Sequence, residues 1–120
     1  MLRKKKMNFE HKVQCAICDY LDIRRICYWA VPNGGKRSKS EASRLKSEGV
    51  KSGVPDITIV HEGQYYGLEV KRPKTLAPKG RLSKNQKEMI ERIENNGGEV
   101  RVVYSVADTI EALIDWGIGV

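Results

Sequence analysis

Asp56, Glu69 and Lys71 are the residues whose types and spacing invite chemistry in this chain. They fall in two β-rich runs, 56–60 (Asp-Ile-Thr-Ile-Val) and 65–70 (Tyr-Tyr-Gly-Leu-Glu-Val), joined by His61-Glu62-Gly63-Gln64, a stretch suited to a short hairpin connection. Charge within an apolar strand is costly to bury unless it is paired or holds a metal. Strand alternation predicts Glu69 and Lys71 on one face, with Cα atoms about 7 Å apart, and Leu68 and Val70 on the other. Asp56 opens the neighbouring strand and can reach the first of these faces. Two carboxylates on a rigid sheet can hold Mg²⁺ or Mn²⁺, hard cations that prefer oxygen ligands and keep several waters. A lysine beside them can orient a water, or help deprotonate it, for in-line attack on a phosphodiester. The bland alternative is that Asp56 caps a turn after Pro55 while Glu69 and Lys71 are solvated on an exposed sheet face, since short motifs recur by chance.

The elements that must position these groups follow from periodicity. Asn8 can cap a helix running to about residue 24 or 25, with Phe9, Val13, Ala16, Ile17, Tyr20 and Leu21 as its apolar stripe. Glu10 lies in its first turn, where it either complements the helix dipole or supplies a third acid near the metal. His11, Cys15 and Cys18 recur at i, i+4 and i+7, but no second Cys/His pair completes a four-ligand set, so no structural zinc is expected and the cysteines are taken as small core residues. Residues 26–31, ending at Pro32, read as the first strand, followed by an Asn33-Gly34-Gly35 turn and a short helix over about 40–48 closed by Gly49. Gly53 suggests a bend into the strand opened by Asp56. Ser83-Lys84-Asn85-Gln86 is a capping-box pattern opening a helix to about residue 95 or 96. Met89, Ile90 and Ile93 lie at i+3, i+4 and i+7 from Gln86, so Gln86 occupies the inward stripe and can serve both cap and site. A strand over 100–104 and a helix to about residue 116, capped by Ser105 with Asp108 at its third position, complete the chain. The resulting order, α-β-α-β-β-α-β-α, implies an α/β domain with a central mixed β-sheet flanked by helices.

With 120 residues the chain suits one domain, taken as 8–120 behind a basic arm at 1–7 (Met-Leu-Arg-Lys-Lys-Lys-Met). Lys and Arg number 22 against 15 Asp and Glu, a net charge of +7, which favours a polyanionic partner. Lys36, Arg37, Arg72, Lys74, Lys79 and Arg81 flank the candidate site in basic loops suited to a phosphate backbone. No apolar run approaches the length of a spanning helix and no signal-peptide pattern opens the chain, so no membrane partner is expected. Three cysteines cannot all pair, which points to reduced thiols and a cytoplasmic protein.

With these residues in order, the sequence resembles the PD-(D/E)XK nuclease superfamily, and within it the small stand-alone VRR-NUC (virus-type replication-repair nuclease) domains. The resemblance rests on an acid in the first helix (Glu10), Pro-Asn-Gly-Gly at 32–35, Gly-Val-Pro-Asp at 53–56 and Glu-Val-Lys-Arg-Pro at 69–73. It continues through Gly80-x-Leu-Ser, Gln86, Ile90 and Gly97-Gly98 with a Val-Val strand after it, and so spans nearly the whole chain. It implies a PD-(D/E)XK nuclease-like core in which Asp56, Glu69 and the backbone carbonyl of Val70 hold Mg²⁺ or Mn²⁺, and Lys71 is the catalytic lysine. It further implies that Glu10 joins the metal site, with Glu41 the competing acid, and that Gln86 orients Lys71 or the scissile phosphate. The implied activity is a metal-dependent DNA endonuclease acting on branched or duplex DNA in replication, repair or recombination. Relatives resemble homodimeric, structure-specific enzymes of bacteria or phage-infected cells, acting on substrates such as four-way junctions. The alternatives are a non-catalytic basic nucleic-acid-binding module and a sequence-specific restriction-type endonuclease, for which the chain leaves little room.

Overall fold

The computed structural model describes residues 9–32, 37–73 and 80–119. In order, it contains α1 (Phe9–Ile23), β1 (Tyr28–Ala30), α2 (Lys39–Ser47), β2 (Ile57–His61), β3 (Gln64–Val70), α3 (Lys84–Asn95), β4 (Glu99–Val103) and α4 (Val106–Trp116). That is the order read from the sequence. The basic arm at 1–7, the Asn8 cap, the Asn33-Gly34-Gly35 turn and the cations Lys36, Lys74 and Lys79 lie outside the described residues.

The sheet runs β1-β2-β3-β4, antiparallel across the first two pairs and parallel between β3 and β4. A parallel pair needs a crossover, and α3 supplies it. The hairpin is tighter than the sequence suggested: His61 pairs with Gln64, leaving only Glu62 and Gly63 in the turn. Both have positive φ, 49° and 79°, the signature of a two-residue turn whose twist matches the flanking strands. Glu62 tolerates a conformation in which only Gly63 had announced itself.

One sheet face carries the core. Ile57, Ile59, Tyr66, Leu68, Val70 and Val103 are buried there against Ile17 and Leu21 of α1 and Ala112 and Leu113 of α4. The Tyr66 ring meets Trp116 at a centroid distance of 4.7 Å. The α1 stripe is narrower than expected, since Ala16 is exposed. Two of the cysteines depart from the core role assigned to them, Cys15 and Cys27 being exposed, whereas Cys18 is half-buried and packs against the core. Helix geometry explains this. At about 100° per residue, Cys15 lies roughly 200° around α1 from the buried Ile17, on the side away from the sheet. Cys27 sits just before the edge strand β1.

The opposite face is covered less completely, by α2 and α3. Met89, Ile90 and Ile93 do turn inward but only to half burial, and α3 has no fully buried residue. Ser83 and Gln86 form the expected capping box, and Ser105 accepts from the Asp108 amide at the start of α4. Among the described residues no helix is long and apolar enough to cross a membrane.

Candidate active site

The hairpin register places the two carboxylates. Ile57 pairs with Leu68, so one step further Asp56 stands opposite Glu69, and opposed residues of an antiparallel pair share a face. Asp56 is fixed there twice. Its Oδ2 accepts from the Val70 amide at 2.8 Å, and its carbonyl accepts from the Val31 amide at 2.8 Å. Val70 therefore meets the site through its N–H, between the two charged residues whose face it does not share. Glu69 is 1% exposed and Lys71 8%, which removes the reading of a solvated sheet face.

Gln86 ties the group together from α3. Its Nε2 donates to Glu69 Oε1 at 2.8 Å, while its Oε1 accepts from Lys71 Nζ at 3.0 Å and from the Ser83 amide at 2.8 Å. The cap and the site are thus served by one amide group. Ser83, which the sequence offered only as a helix cap, belongs to the site's support. A second unanticipated support is Gly53, with φ of 80°. A Cβ there would lie 2.4 Å from the Asn85 carbonyl oxygen and 2.9 Å from the Gln86 nitrogen. Gly53→Ala is expected to cost about 3 kcal/mol, or roughly 10 °C in Tm by circular dichroism, because backbone and not a yielding side chain is in the way.

Glu69 Oε2 is buried without a hydrogen-bond donor among the described residues. Burial, the neighbouring Asp56 charge and a hydrogen-bonding contact with the Asp56 carboxyl together push Glu69 up to about 9, against partial relief from Lys71. Glu10 adds a smaller push in the same direction, whereas Glu41 sits exposed in the first turn of α2. Two events can satisfy Oε2: Glu69 takes a proton and shares it with Asp56, or a cation settles between the carboxylates. Among the described residues no three His, Cys, Asp or Glu side chains converge to hold an ion by themselves. The oxygen-only pair therefore fits a cation that completes its shell with water, as Mg²⁺ and Mn²⁺ do. His11 and Cys15 approach to 3.5 Å on the surface of α1.

Of the expected phosphate-contacting cations, Arg37 and Arg81 are exposed and Arg72 is half-buried beside Lys71. Arg37 donates to the Pro32 carbonyl at 3.3 Å.

A mixed four-stranded sheet flanked by helices, with two carboxylates and a lysine at the open end of its hairpin, defines a nuclease-like α/β domain. The sequence profile of the VRR-NUC domain matches residues 7–107, and the chain belongs to that family. Members are generally DNA nucleases. A solved structure described as a VRR_NUC domain protein aligns over 92% of this chain and 89% of its own, with a TM-score of 0.70 and 21% identity, a likeness of fold. No curated protein matches the sequence.

Proposed function

We propose that this domain, taken as residues 8–120, is a divalent-metal-dependent deoxyribonuclease that hydrolyses phosphodiester bonds in branched DNA, four-way junctions included. The observation that supports it most is the unsatisfied Glu69 Oε2 facing Asp56, with Lys71 held beside it by Gln86. A pure binding module has no use for a buried acid set against a half-buried one, an arrangement that opposes the ionisation of Glu69. In this reading Asp56, Glu69 and the Val70 carbonyl would hold Mg²⁺ or Mn²⁺, with Glu10 joining through water. When bound, that ion supplies the positive charge that neutralises the carboxylates and polarises the phosphate. Gln86 Oε1 occupies one of the three donors of Lys71 Nζ, so the ammonium is oriented with donors to spare for a phosphate oxygen or an attacking water. Two copies of the domain acting as a homodimer would set one site against each of two strands, as symmetric junction cleavage requires. The reduced thiols suit a cytoplasmic setting.

Labelled four-way junctions, flaps, nicked and linear duplexes, incubated with and without Mn²⁺, test the reading. Metal-dependent cutting near branch points is expected; binding without cutting of any substrate would leave only the non-catalytic module. Asp56→Asn is expected to weaken Mn²⁺ binding at least ~10-fold by titration calorimetry, since it removes one of two anionic ligands. Equal affinity in mutant and wild type would take Asp56 out of the metal site.

A further inference from the structure

The incompletely covered sheet face holds an open groove of about 1230 Å³ between α2, α3 and the loop leading to β2. Its lining combines two chemistries. Leu45, Val54, Pro55, Tyr65, Met89 and Ile93 give it apolar and aromatic walls, while Arg37, Lys46 and Lys51 also border it. No carboxylate lines it among the described residues. The groove is continuous with the candidate active site: Gln86 belongs to both, and Pro55 immediately precedes Asp56.

An occupant must therefore bring flat apolar surface and negative charge together, on a path that reaches Gln86, the hydrogen-bond partner of Glu69 and Lys71. Duplex DNA does not fit this description, because its base faces are stacked on one another and it offers a groove wall mainly phosphate and sugar. An unpaired strand shows its base faces and its phosphates at once. We propose that this groove binds the single-stranded arm of a branched substrate, its bases against the apolar wall and its phosphates towards Arg37, Lys46 and Lys51. The proposal rests on the phosphodiesterase reading above and adds to it, for branched substrates that carry an unpaired arm such as flaps, the part that is recognised: the unpaired nucleotides leading up to the scissile bond. It also assigns a task to cations that the fold does not need. Lys46 and Lys51 are both exposed.

Binding of fluorescein-labelled oligothymidylate, measured by anisotropy in EDTA, tests this without requiring cleavage. The wild-type chain is expected to bind the oligomer more tightly than a duplex of equal length. Ala42→Glu with Lys46→Glu, one turn apart on the groove side of α2, is expected to weaken oligothymidylate binding about 10-fold or more, as the loss of one phosphate contact and the gain of two negative charges require. Lys51→Glu, in the loop and outside any helix, should act in the same direction and is insensitive to the folding of α2. Lys12→Glu, the same charge change as Lys51→Glu at an exposed position of α1, should shift binding less than about 2-fold. Equal losses in groove and α1 variants, or equal losses for duplex and single strand, would overturn the proposal. Cleavage by the same proteins in Mn²⁺ is scored separately, so a chain that binds the oligomer in the groove but cuts nothing refutes the enzyme and not the groove.

Discussion

Lys71→Ala is expected to abolish cleavage, by about 10³-fold or more, while DNA affinity changes by less than about 3-fold. The asymmetry follows from position. Lys71 is 8% exposed and its ammonium is committed to the Gln86 carbonyl oxygen at 3.0 Å, so it contributes little to the charge that a distant polyanion meets. What it offers is a directed charge beside Glu69, useful only to a group already seated there. Gln86→Ala should show a smaller loss of cleavage, because it leaves the ammonium present but undirected, together with a lower Tm from the broken capping box. Single-turnover cleavage and binding in EDTA, measured on the same preparations, separate the two quantities. A Lys71→Ala protein that still cuts at the wild-type rate would remove the lysine from the chemistry. Parallel loss of binding and cutting would instead make it a phosphate anchor.

Glu69→Gln is expected to make the metal-free protein markedly more stable at pH 8, and scarcely different at pH 5. In the folded state Glu69 is pushed up to about 9 by burial and by Asp56, above the ordinary carboxylate value that it has when unfolded. A raised folded-state value means that stability is fully present below the unfolded value and is lost as pH rises towards the folded one. Between about pH 4.5 and pH 9 the unfolded chain has released a proton that the folded chain retains, so stability falls with rising pH across that window. The amide has no proton to release and its slope should be nearly flat. The difference at pH 8 is on the order of 4 kcal/mol. Thermal unfolding followed from pH 5 to 8.5 in EDTA checks this; parallel curves for mutant and wild type would show that Glu69 is ionised in the folded protein. Saturating Mn²⁺ should stabilise the wild type, since an ion that binds only the folded state shifts the equilibrium by mass action, and should do less for Glu69→Gln.

Much of this site was legible in the chain because it depends on alternation and local register. Asp56, Glu69 and Lys71 could be set on one face from the period of a strand, and Gln86 from the period of a helix joined to a capping box. Glu10 came from the family resemblance, with Glu41 left as the competing acid, because periodicity alone cannot choose between two helices; Glu10 adds to the upward push on Glu69. The burial of α1 was less readable. Its stripe looked wide because Ala16 and two of the cysteines are apolar enough to be buried, yet only Ile17 and Leu21 are fully buried, with Val13, Cys18 and Tyr20 packed partly against the core. The hairpin turn at 61–64 was legible, but not the left-handed backbone of Glu62 within it. Positive φ is announced by glycine, and Glu62 adopts it because Gly63 and the strand pairing impose it. The groove leaves no periodic trace at all, being assembled from a loop, two helices and the uncovered side of the sheet.

The hairpin has a consequence for how the protein acquires its site. Asp56, Glu69 and Lys71 all lie on one local excursion of the chain closed by a two-residue reversal. Bringing them together forfeits little chain entropy, whereas pairing β3 with β4 must wait for the intervening crossover to be threaded. The acid pair is thus gathered early in folding, while Gln86 arrives with the slower parallel half. Until it does, Lys71 offsets those acids without Gln86 to direct it, and a partly folded chain with divalent ions at hand would have reason to capture one before its tertiary structure is complete.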